Sequence, residues 1–340
     1  MNFNKSILLV IFLSYFIFGY PNRVFSQSPI GANYGAVFNS DTRMAFKLNG
    51  YWETSIEGDD FISYYFPNVF YNCKEVRIRK TVHLDKQLIP NSVWHLYFLG
   101  VNDEIEIYWN EQFVGKYISD GSPLWITLPR KINLKEHNRV EFVVKRATPL
   151  VFQIRKNYLY YQKIATGIPR DFFLIRTPVV WLNVSSLKSE FESLNKTTLR
   201  VKINVTSFEI ENLQRFGAAN SQTSPYIALN AEIILKHQTT KQVVAQTSTN
   251  INLSSFRNVY VEPSLGVIAP TLWEPDNPNL YELDIRLTYF GTLIDNLRQD
   301  LGFAKWDTYK IKETSNFLLN GKPFILKGVD YVEDFYSSST

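Results

Sequence analysis

The residues most able to bind a metal or a cofactor are the histidines and the cysteine. The histidines are scattered along the chain, and no two of them have the sequence spacing of metal ligands. The single cysteine excludes an internal disulfide, and we expect Cys73 to be a small buried apolar residue. The sequence therefore predicts no metal site and no cofactor. The four histidines are His83, His95, His137 and His237.

A short acidic segment near the end of the sequence is the next candidate for chemistry. It contains Asp330, Glu333 and Asp334, and two carboxylates held close together can act as an acid and a base. The segment follows an apolar hairpin pattern, so we interpret it as an acidic turn. The sequence also has no glycine-rich phosphate loop and no Gly-x-Ser-x-Gly turn for a nucleophilic serine. It predicts no catalytic residue.

Aromatic residues are the remaining candidates for binding. The chain contains 20 Tyr, 25 Phe and 7 Trp, residues that either fill pleated, half-buried surfaces or stack on flat ligands. The densest cluster is NYLYYQ, where alternation along a strand places Tyr158 and Tyr160 on one face and Tyr161 on the other. Trp109 and Trp125 are further candidates for an exposed stacking surface. Packing in a core is the alternative for at least one of these faces.

The elements that position these residues are strands. Polar and apolar residues alternate with a period close to two in most of the chain, and helical periodicity is scarce. Short strands bounded by Gly, Pro, Asn or Asp turns are typical of antiparallel sandwiches. We therefore predict an all-β chain. The clearest alternating segments are residues 75–84, 104–110, 139–145, 199–210, 226–237 and 280–290.

The first 26 residues have the pattern of a signal peptide. A basic start precedes an apolar run at residues 6–20, which is shorter than the roughly 20 residues of a membrane span, and a polar exit follows it. We expect cleavage between Ser26 and Gln27 and export to the periplasm or the extracellular space, with no membrane segment afterwards. The formal net charge of the chain is only +4, which gives no reason to expect nucleic acid as a partner.

The rest of the chain has room for two domains of ordinary size. A polar stretch near Ser185 and Ser186 separates two β-rich blocks, which we place at residues 27–184 and 185–305. The last segment, residues 306–340, is too short to fold alone. It contains two apolar strand patterns, at residues 317–319 and 323–329, joined by a turn at Asn320–Gly321.

Four stretches of the sequence, in order, resemble glycoside hydrolase family 2, the family of β-galactosidases, β-glucuronidases and β-mannosidases. IEIYWNEQFVGKYISDGSPLWITLP, at residues 105–129, resembles the turn and loop of the family's sugar-binding jelly roll, with Asn110–Glu111 where Asn-Gly is usual. TGIPRDFFLIRTPVVWLNVSS, at residues 166–186, resembles the signature at the exit of that domain.

The other two stretches cover the second half of the chain. APTLWEPDNPNLYELDIRL, at residues 269–287, resembles the Leu-Trp-x-Pro signature near the end of the family's immunoglobulin-like domain and is the most specific match. Gly302–Phe303 and NFLLNGKPFILKGVDYVEDF, at residues 316–335, resemble the start of the catalytic (β/α)8 barrel, with Val332 where the family has a histidine.

The resemblance implies a galactose-binding-like jelly roll, an immunoglobulin-like sandwich and the beginning of a truncated barrel. The family hydrolyses β-glycosides with two carboxylates that lie well inside the barrel, and these carboxylates have no counterpart in this sequence. A carbohydrate is therefore the expected partner of the whole enzyme, and this chain alone is expected to be inactive. The sequence leaves open a separately encoded barrel, a homo-oligomer, and a stand-alone carbohydrate-binding or assembly module.

The resemblance also gives Asp171 a possible role. In β-galactosidase-like members, the matching aspartate reaches toward the sugar pocket, where a carboxylate can accept hydrogen bonds from sugar hydroxyls. The alternative is an ion pair of Asp171 with Arg170 or Arg176 at the edge of the sandwich. For the stand-alone module, the candidate surface is formed by Tyr158 and Tyr160, which could stack on a pyranose ring.

Overall fold

The part of the chain that the structure describes is built from strands. It comprises 23 strands and one 3-10 helical turn, Lys86–Leu88, which confirms the prediction of an all-β chain. Among the residues that the structure describes, no helix has the length and apolarity needed to cross a membrane. Contacts divide the chain into two compact units, Arg43–Val179 and Val180–Val329, and the second also includes residues 39–42. The computed structural model describes residues 39–120, 123–146, 165–208, 226–254, 257–311 and 314–329.

The first unit contains two antiparallel sheets. One has the strand order β1-β12-β6-β9, and the other has the order β3-β2-β5-β10-β7-β11-β4, with β8 paired to β7. Neighbours in a sheet are mostly distant in sequence, which is the topology of a sandwich rather than a meander. The strands are β1 Met44–Lys47, β2 Gly50–Ile56, β3 Ile62–Phe66, β4 Asn68–Tyr71, β5 Glu75–His83, β6 Ser92–Phe98, β7 Asn102–Trp109, β8 Gln112–Asp120, β9 Leu124–Thr127, β10 His137–Lys145, β11 Ala165–Ile168 and β12 Phe172–Pro178.

Aromatic rings from both sheets form the core of this unit. Phe172 of one sheet lies 5.5 Å from Trp52 and 6.1 Å from Phe142 of the other, measured between ring centroids. Phe98 contacts Phe142 edge to face at 5.3 Å. All four side chains are buried, and each contributes about 1.5–3 kcal/mol by leaving water. The two sheets therefore pack as a β-sandwich.

The alternation predicted for β5 is present in the structure. Val76, Ile78 and Val82 point into the core, whereas their neighbours are partly or fully exposed. At the end of β7, Asn110 and Glu111 both have positive φ, 49° and 68°, so the departure from Asn-Gly still forms the left-handed turn. This first unit also buries Cys73, as expected from the sequence.

The second unit contains two further antiparallel sheets and a small one. Their orders are β13-β14-β17 with β18 paired to β14, β16-β15-β19-β20, and β21-β22-β23. The predicted boundary at residues 184 and 185 lies inside β13, which spans Val180–Ser193, whereas the contact division falls just before this strand, between Val179 and Val180. The strands are β13 Val180–Ser193, β14 Lys196–Ser207, β15 Ile227–His237, β16 Val243–Leu253, β17 Asn258–Val261, β18 Ser264–Ile268, β19 Tyr281–Tyr289, β20 Thr292–Leu301, β21 Trp306–Ile311, β22 Thr314–Leu319 and β23 Lys322–Phe324.

A buried carboxylate ties separate elements of the second unit together. Asp295 on β20 is completely buried, and its Oδ2 accepts a hydrogen bond from the backbone N–H of Leu182 at 2.9 Å. Its Oδ1 accepts a hydrogen bond from the Thr42 hydroxyl at 2.6 Å. Buried polar groups need such partners, because an unsatisfied one costs about 1–3 kcal/mol. The segment at residues 39–42 is thereby fixed to the unit.

The end of the second unit differs from the sequence prediction in one respect. We predicted a strand over residues 323–329, but β23 ends at Phe324. The following residues form no ladder, and Ile325, Leu326 and Val329 are exposed. The turn at Asn320–Gly321 is as predicted, with both residues at positive φ.

Candidate functional site

The Leu-Trp-x-Pro stretch folds into a compact turn that precedes β19. Glu274 and Asn277 exchange backbone hydrogen bonds at 3.2 and 3.0 Å, which closes the turn. The side chain of Asn279 donates to the carbonyl of Leu272 at 3.0 Å. The hydroxyl of the buried Tyr281 accepts the backbone N–H of Thr271 at 2.7 Å. These bonds fix the backbone on both sides of Trp273.

Trp273 is held by the other signature residues of the second unit. Its backbone N–H donates to the carbonyl of Phe303 at 2.8 Å, and its carbonyl accepts from the Asn320 side chain at 3.0 Å. Gly302 packs closely against Trp273, because a Cβ at this position would lie 3.1 Å from the Cβ of Trp273. Two stretches that resemble the family are therefore joined here through direct contacts.

Trp273 lines a cleft of about 680 Å³, the Trp273 cleft. Trp306 and Phe324 form its aromatic wall and contact each other edge to face at 5.4 Å. Lys322 and Glu274 form an ion pair at 3.1 Å at its polar side. Aromatic faces with a few polar groups suit either a sugar ring or a packed apolar segment. The lining residues are Trp273, Glu274, Pro275, Asp276, Trp306, Leu319, Lys322, Pro323, Phe324, Ile325, Leu326 and Lys327.

Asp171 lies in the first unit, directly before β12, where it is held by the last residue of β1 and by a residue of the β1–β2 connection. One carboxylate oxygen accepts from the Asn49 amide at 2.5 Å, and the other lies 2.8 Å from Lys47 Nζ. The carboxylate side chain is 15% exposed. Arg176, which we had considered as its partner, instead donates to the Ser92 hydroxyl at 2.7 Å. A carboxylate is an acceptor-only group, which is the type of side chain that binds a hydroxyl donor.

Close pairing of two strands explains why a glycine, Gly167, stands shortly before Asp171. The φ of Gly167 is 150°, and a Cβ at this position would lie 2.5 Å from the carbonyl oxygen of Asn68 on the paired strand β4. Only glycine avoids both the strained backbone and the clash. β11 can therefore pair closely with β4, which fixes the chain immediately before Asp171.

The aromatic candidates have different outcomes. Trp109 is completely buried and donates from Nε1 to the Asn138 side chain at 3.0 Å, so its prediction as an exposed stacking residue is wrong. Trp125 is half-buried and packs against Tyr97 at 5.4 Å. Tyr158 and Tyr160 lie outside the described residues. Their proposed role as a sugar surface therefore remains a prediction.

The histidines are not all scattered in space. His83 and His137 face each other across the β5–β10 pair, with ring centroids 4.9 Å apart. The sequence interpretation missed this pair because strand register, and not sequence spacing, brings the two rings together. His95 is fully buried between the hydroxyls of Thr127 and Thr177, at 3.0 and 2.9 Å.

Sequence reasoning also missed the partners of the predicted site residues. Lys47 and Asn49 come from a short stretch of ordinary composition, and only the pairing of β1 with β12 brings them to Asp171. Trp306 and Phe324 carried no signal beyond their aromatic character. Their place beside Trp273 depends on the small β21-β22-β23 sheet.

Comparison with sequence families agrees with this arrangement. Residues 186–303 match the family described as glycosyl hydrolases family 2. A provisionally named β-glucuronidase from Formosa agariphila is 28% identical over 72% of this chain and 26% of its own length. A β-galactosidase from Pectobacterium atrosepticum is 27% identical over 68% of this chain and 21% of its own length. The chain thus spans about a quarter of these curated relatives.

Solved structures share the fold. Bacteroides uniformis β-glucuronidase 2, solved with a covalently bound cyclophellitol-6-carboxylate aziridine, superposes with a TM-score of 0.69 at 17% identity, covering 85% of this chain and 35% of that one. A structure described as a β-galactosidase, provisionally named, from Bacteroides fragilis gives 0.67 at 18% identity, covering 83% and 44%. On these findings, residues 186–303 match glycosyl hydrolases family 2, and the chain shares the fold of part of these β-glucuronidase and β-galactosidase structures.

Proposed function

We propose that this chain is the accessory portion of an exported enzyme that hydrolyses the O-glycosyl bonds of β-glycosides. The observation that carries the proposal is the Trp273 cleft, where two stretches that resemble the family are joined by hydrogen bonds through Trp273 and Asn320. The names of the relatives, β-glucuronidase and β-galactosidase, support β-glycosides as the substrate class.

The proposal assigns the chemistry to a (β/α)8 barrel. Retaining hydrolysis needs two carboxyl groups about 5–5.5 Å apart, one as acid and one as nucleophile. A barrel that positions them takes about 250 residues and alternates strands with helices. The described residues of this chain form antiparallel sheets and one 3-10 turn instead. The barrel is therefore either continuous with this chain or encoded separately.

The Trp273 cleft is proposed to support the start of that barrel. Ile325 and Leu326 line the cleft and are 79% and 40% exposed, and Val329 beyond them is 93% exposed. Covering apolar side chains that are exposed at the edge of an aromatic cleft removes them from water, and this burial stabilises the folded protein. We assign this surface to packing against the catalytic domain.

Asp171 is proposed to hold a hydroxyl of the substrate sugar. Its carboxylate is fixed from two sides, by Lys47 and by Asn49, and it is still accessible at 15% of its side-chain surface. A carboxylate held in place pays little entropy when it accepts a hydrogen bond from a sugar. Its role is in binding, and it takes no part in bond cleavage.

The division of labour can be tested with chromogenic substrates. The purified chain should release no product from p-nitrophenyl β-D-glucuronide or β-D-galactoside, while the same chain together with the barrel polypeptide should. A mock purification from the same host controls for contaminating glycosidases. Hydrolysis by the chain alone, at rates typical of the family and above the mock sample, contradicts the proposal.

The proposed role of Asp171 can be tested only in the assembled enzyme, where substrate turnover is measured. Asp171→Asn should raise KM at least about 10-fold, because one charge-assisted hydrogen bond to the sugar is lost, and it should change kcat little. Lys47→Met is the matched control, since it removes the ion pair but keeps the carboxylate. Equal KM values for Asp171→Asn and the parent enzyme would assign Asp171 to the stability of the sandwich edge.

Export is part of the proposal and rests on the sequence of the first 26 residues. An apolar run of signal-peptide length after a basic start supports cleavage between Ser26 and Gln27. Mass spectrometry of the protein recovered from the periplasm or medium should give an N-terminus at Gln27. A cytoplasmic protein that retains Met1 would refute this part.

A further inference from the structure

The end of the β5–β10 strand pair places three metal-binding side chains together. His83 is the last residue of β5 and His137 the first of β10, and the two are direct partners in the antiparallel register. Glu136 precedes His137, and its carbonyl accepts the backbone N–H of Leu84 at 2.8 Å. One ligand atom from each of His83, Glu136 and His137 lies within 4.8 Å of the others.

We propose that His83, Glu136 and His137 form a binding site for a divalent transition-metal ion, with zinc as the best fit. Two imidazoles and one carboxylate are a ligand set that zinc uses when water completes its coordination. Neither the family resemblance nor the proposed hydrolytic function involves these residues. The site lies within the Arg43–Val179 unit and would clamp the two strands at their ends.

The distances require only side-chain rotation. Ligand atoms at about 2.0–2.1 Å from a tetrahedral ion are about 3.3 Å apart, so the three atoms must close by roughly 1.5 Å at most. Both histidines are exposed and Glu136 is partly exposed, so their side chains are free to turn. The strand register fixes the two histidine backbones opposite each other, which leaves few rotatable bonds to be ordered on binding.

Lys86 forms an ion pair with the carboxylate of Glu136. Its Nζ lies 2.6 Å from one oxygen of Glu136, and its side chain is 75% exposed. Such an exposed pair is weak and yields readily to a divalent ion.

The test is a zinc titration of the full chain after treatment with a chelator. Isothermal titration calorimetry should show saturable binding of one Zn²⁺ per chain. His83→Asn and His137→Asn should each weaken it at least about 10-fold, because a directly coordinating group is lost. Glu136→Gln should weaken it less than either. His237→Asn, which alters a histidine in the other unit, is the matched control and should leave the affinity unchanged.

A second measurement protects the test against misfolded variants. Zn²⁺ should raise the Tm of the parent chain and of His237→Asn, and a chelator should reverse the rise, because an ion that binds only the folded state stabilises it. His83→Asn with a native far-ultraviolet circular dichroism spectrum should lose this rise. The absence of saturable binding to the parent chain, or equal weakening by His237→Asn and His83→Asn, overturns the proposal.

Discussion

Lowering the pH from about 7 to about 5 should destabilise the first unit through His95. Burial, together with the nearby positive charge of Arg43, lowers the pKa of His95 from 6.5 to about 3. The hydroxyl of Thr177 donates to the carbonyl of Pro178, so it accepts from His95 Nε2. The other ring nitrogen then accepts from Thr127, and this arrangement satisfies the neutral ring.

The direction and size of this pH effect follow from the difference in proton binding between the folded and the unfolded chain. The folded-state pKa lies below the unfolded value of about 6.5, so the unfolded chain binds more protons between these two values. The stability contribution is complete above pH 6.5 and is lost as the pH falls through this window. Between about pH 7 and pH 5, the difference amounts to about 2 kcal/mol of unfolding free energy.

Urea denaturation of the parent chain and of His95→Gln, at both pH values, measures this effect. Glutamine keeps polar partners for the two threonines but does not titrate, so the variant should lose about 2 kcal/mol less over this interval. Thr127→Val is the control. It should be less stable at both pH values but keep the parent's pH slope, because burial and not the hydrogen bond lowers the pKa. Parallel curves for His95→Gln and the parent would refute the reasoning.

Two further predictions concern the second unit. Asp295→Ala should lower the unfolding free energy by about 2–3 kcal/mol in urea denaturation, because the buried N–H of Leu182 loses its acceptor; a loss below about 0.5 kcal/mol would contradict this. Gly302→Ala should cost about 1–2 kcal/mol of unfolding free energy, because the new methyl group lies 3.1 Å from the Trp273 side chain. Gly266→Ala, whose Cβ would meet nothing within 4 Å, is the matched control and should be within about 0.5 kcal/mol of the parent.

The strand content of the fold was predictable from local pattern. Alternation of polar and apolar residues depends on which face of a strand is buried, and this information is written in neighbouring residues such as Val76 and Ile78. The turns at Asn110 and Asn320 were predictable for the same local reason. The end of β23 was not, because Pro323 to Val329 is apolar enough for a strand but has no partner beyond Phe324 among the described residues.

The candidate sites depended on long-range register, which the sequence does not display. Asp171 could be singled out by resemblance, but its partner Lys47 arrives through pairing between β1 and β12. His83 and His137 looked unrelated in sequence and are direct neighbours across two strands. Trp109 looked available for stacking, but its alternation phase points it into the core. In each case the sequence shows the residue type, whereas the surroundings of that residue could not be predicted from the sequence.

Cys73 gives the molecule a built-in reporter. Its thiol is 3% exposed, and burial raises its pKa, so a reagent in solution meets neither an accessible sulfur nor a ready thiolate. Chemical labelling therefore proceeds only when the sandwich opens, and the labelling rate measures how often the structure around Cys73 opens.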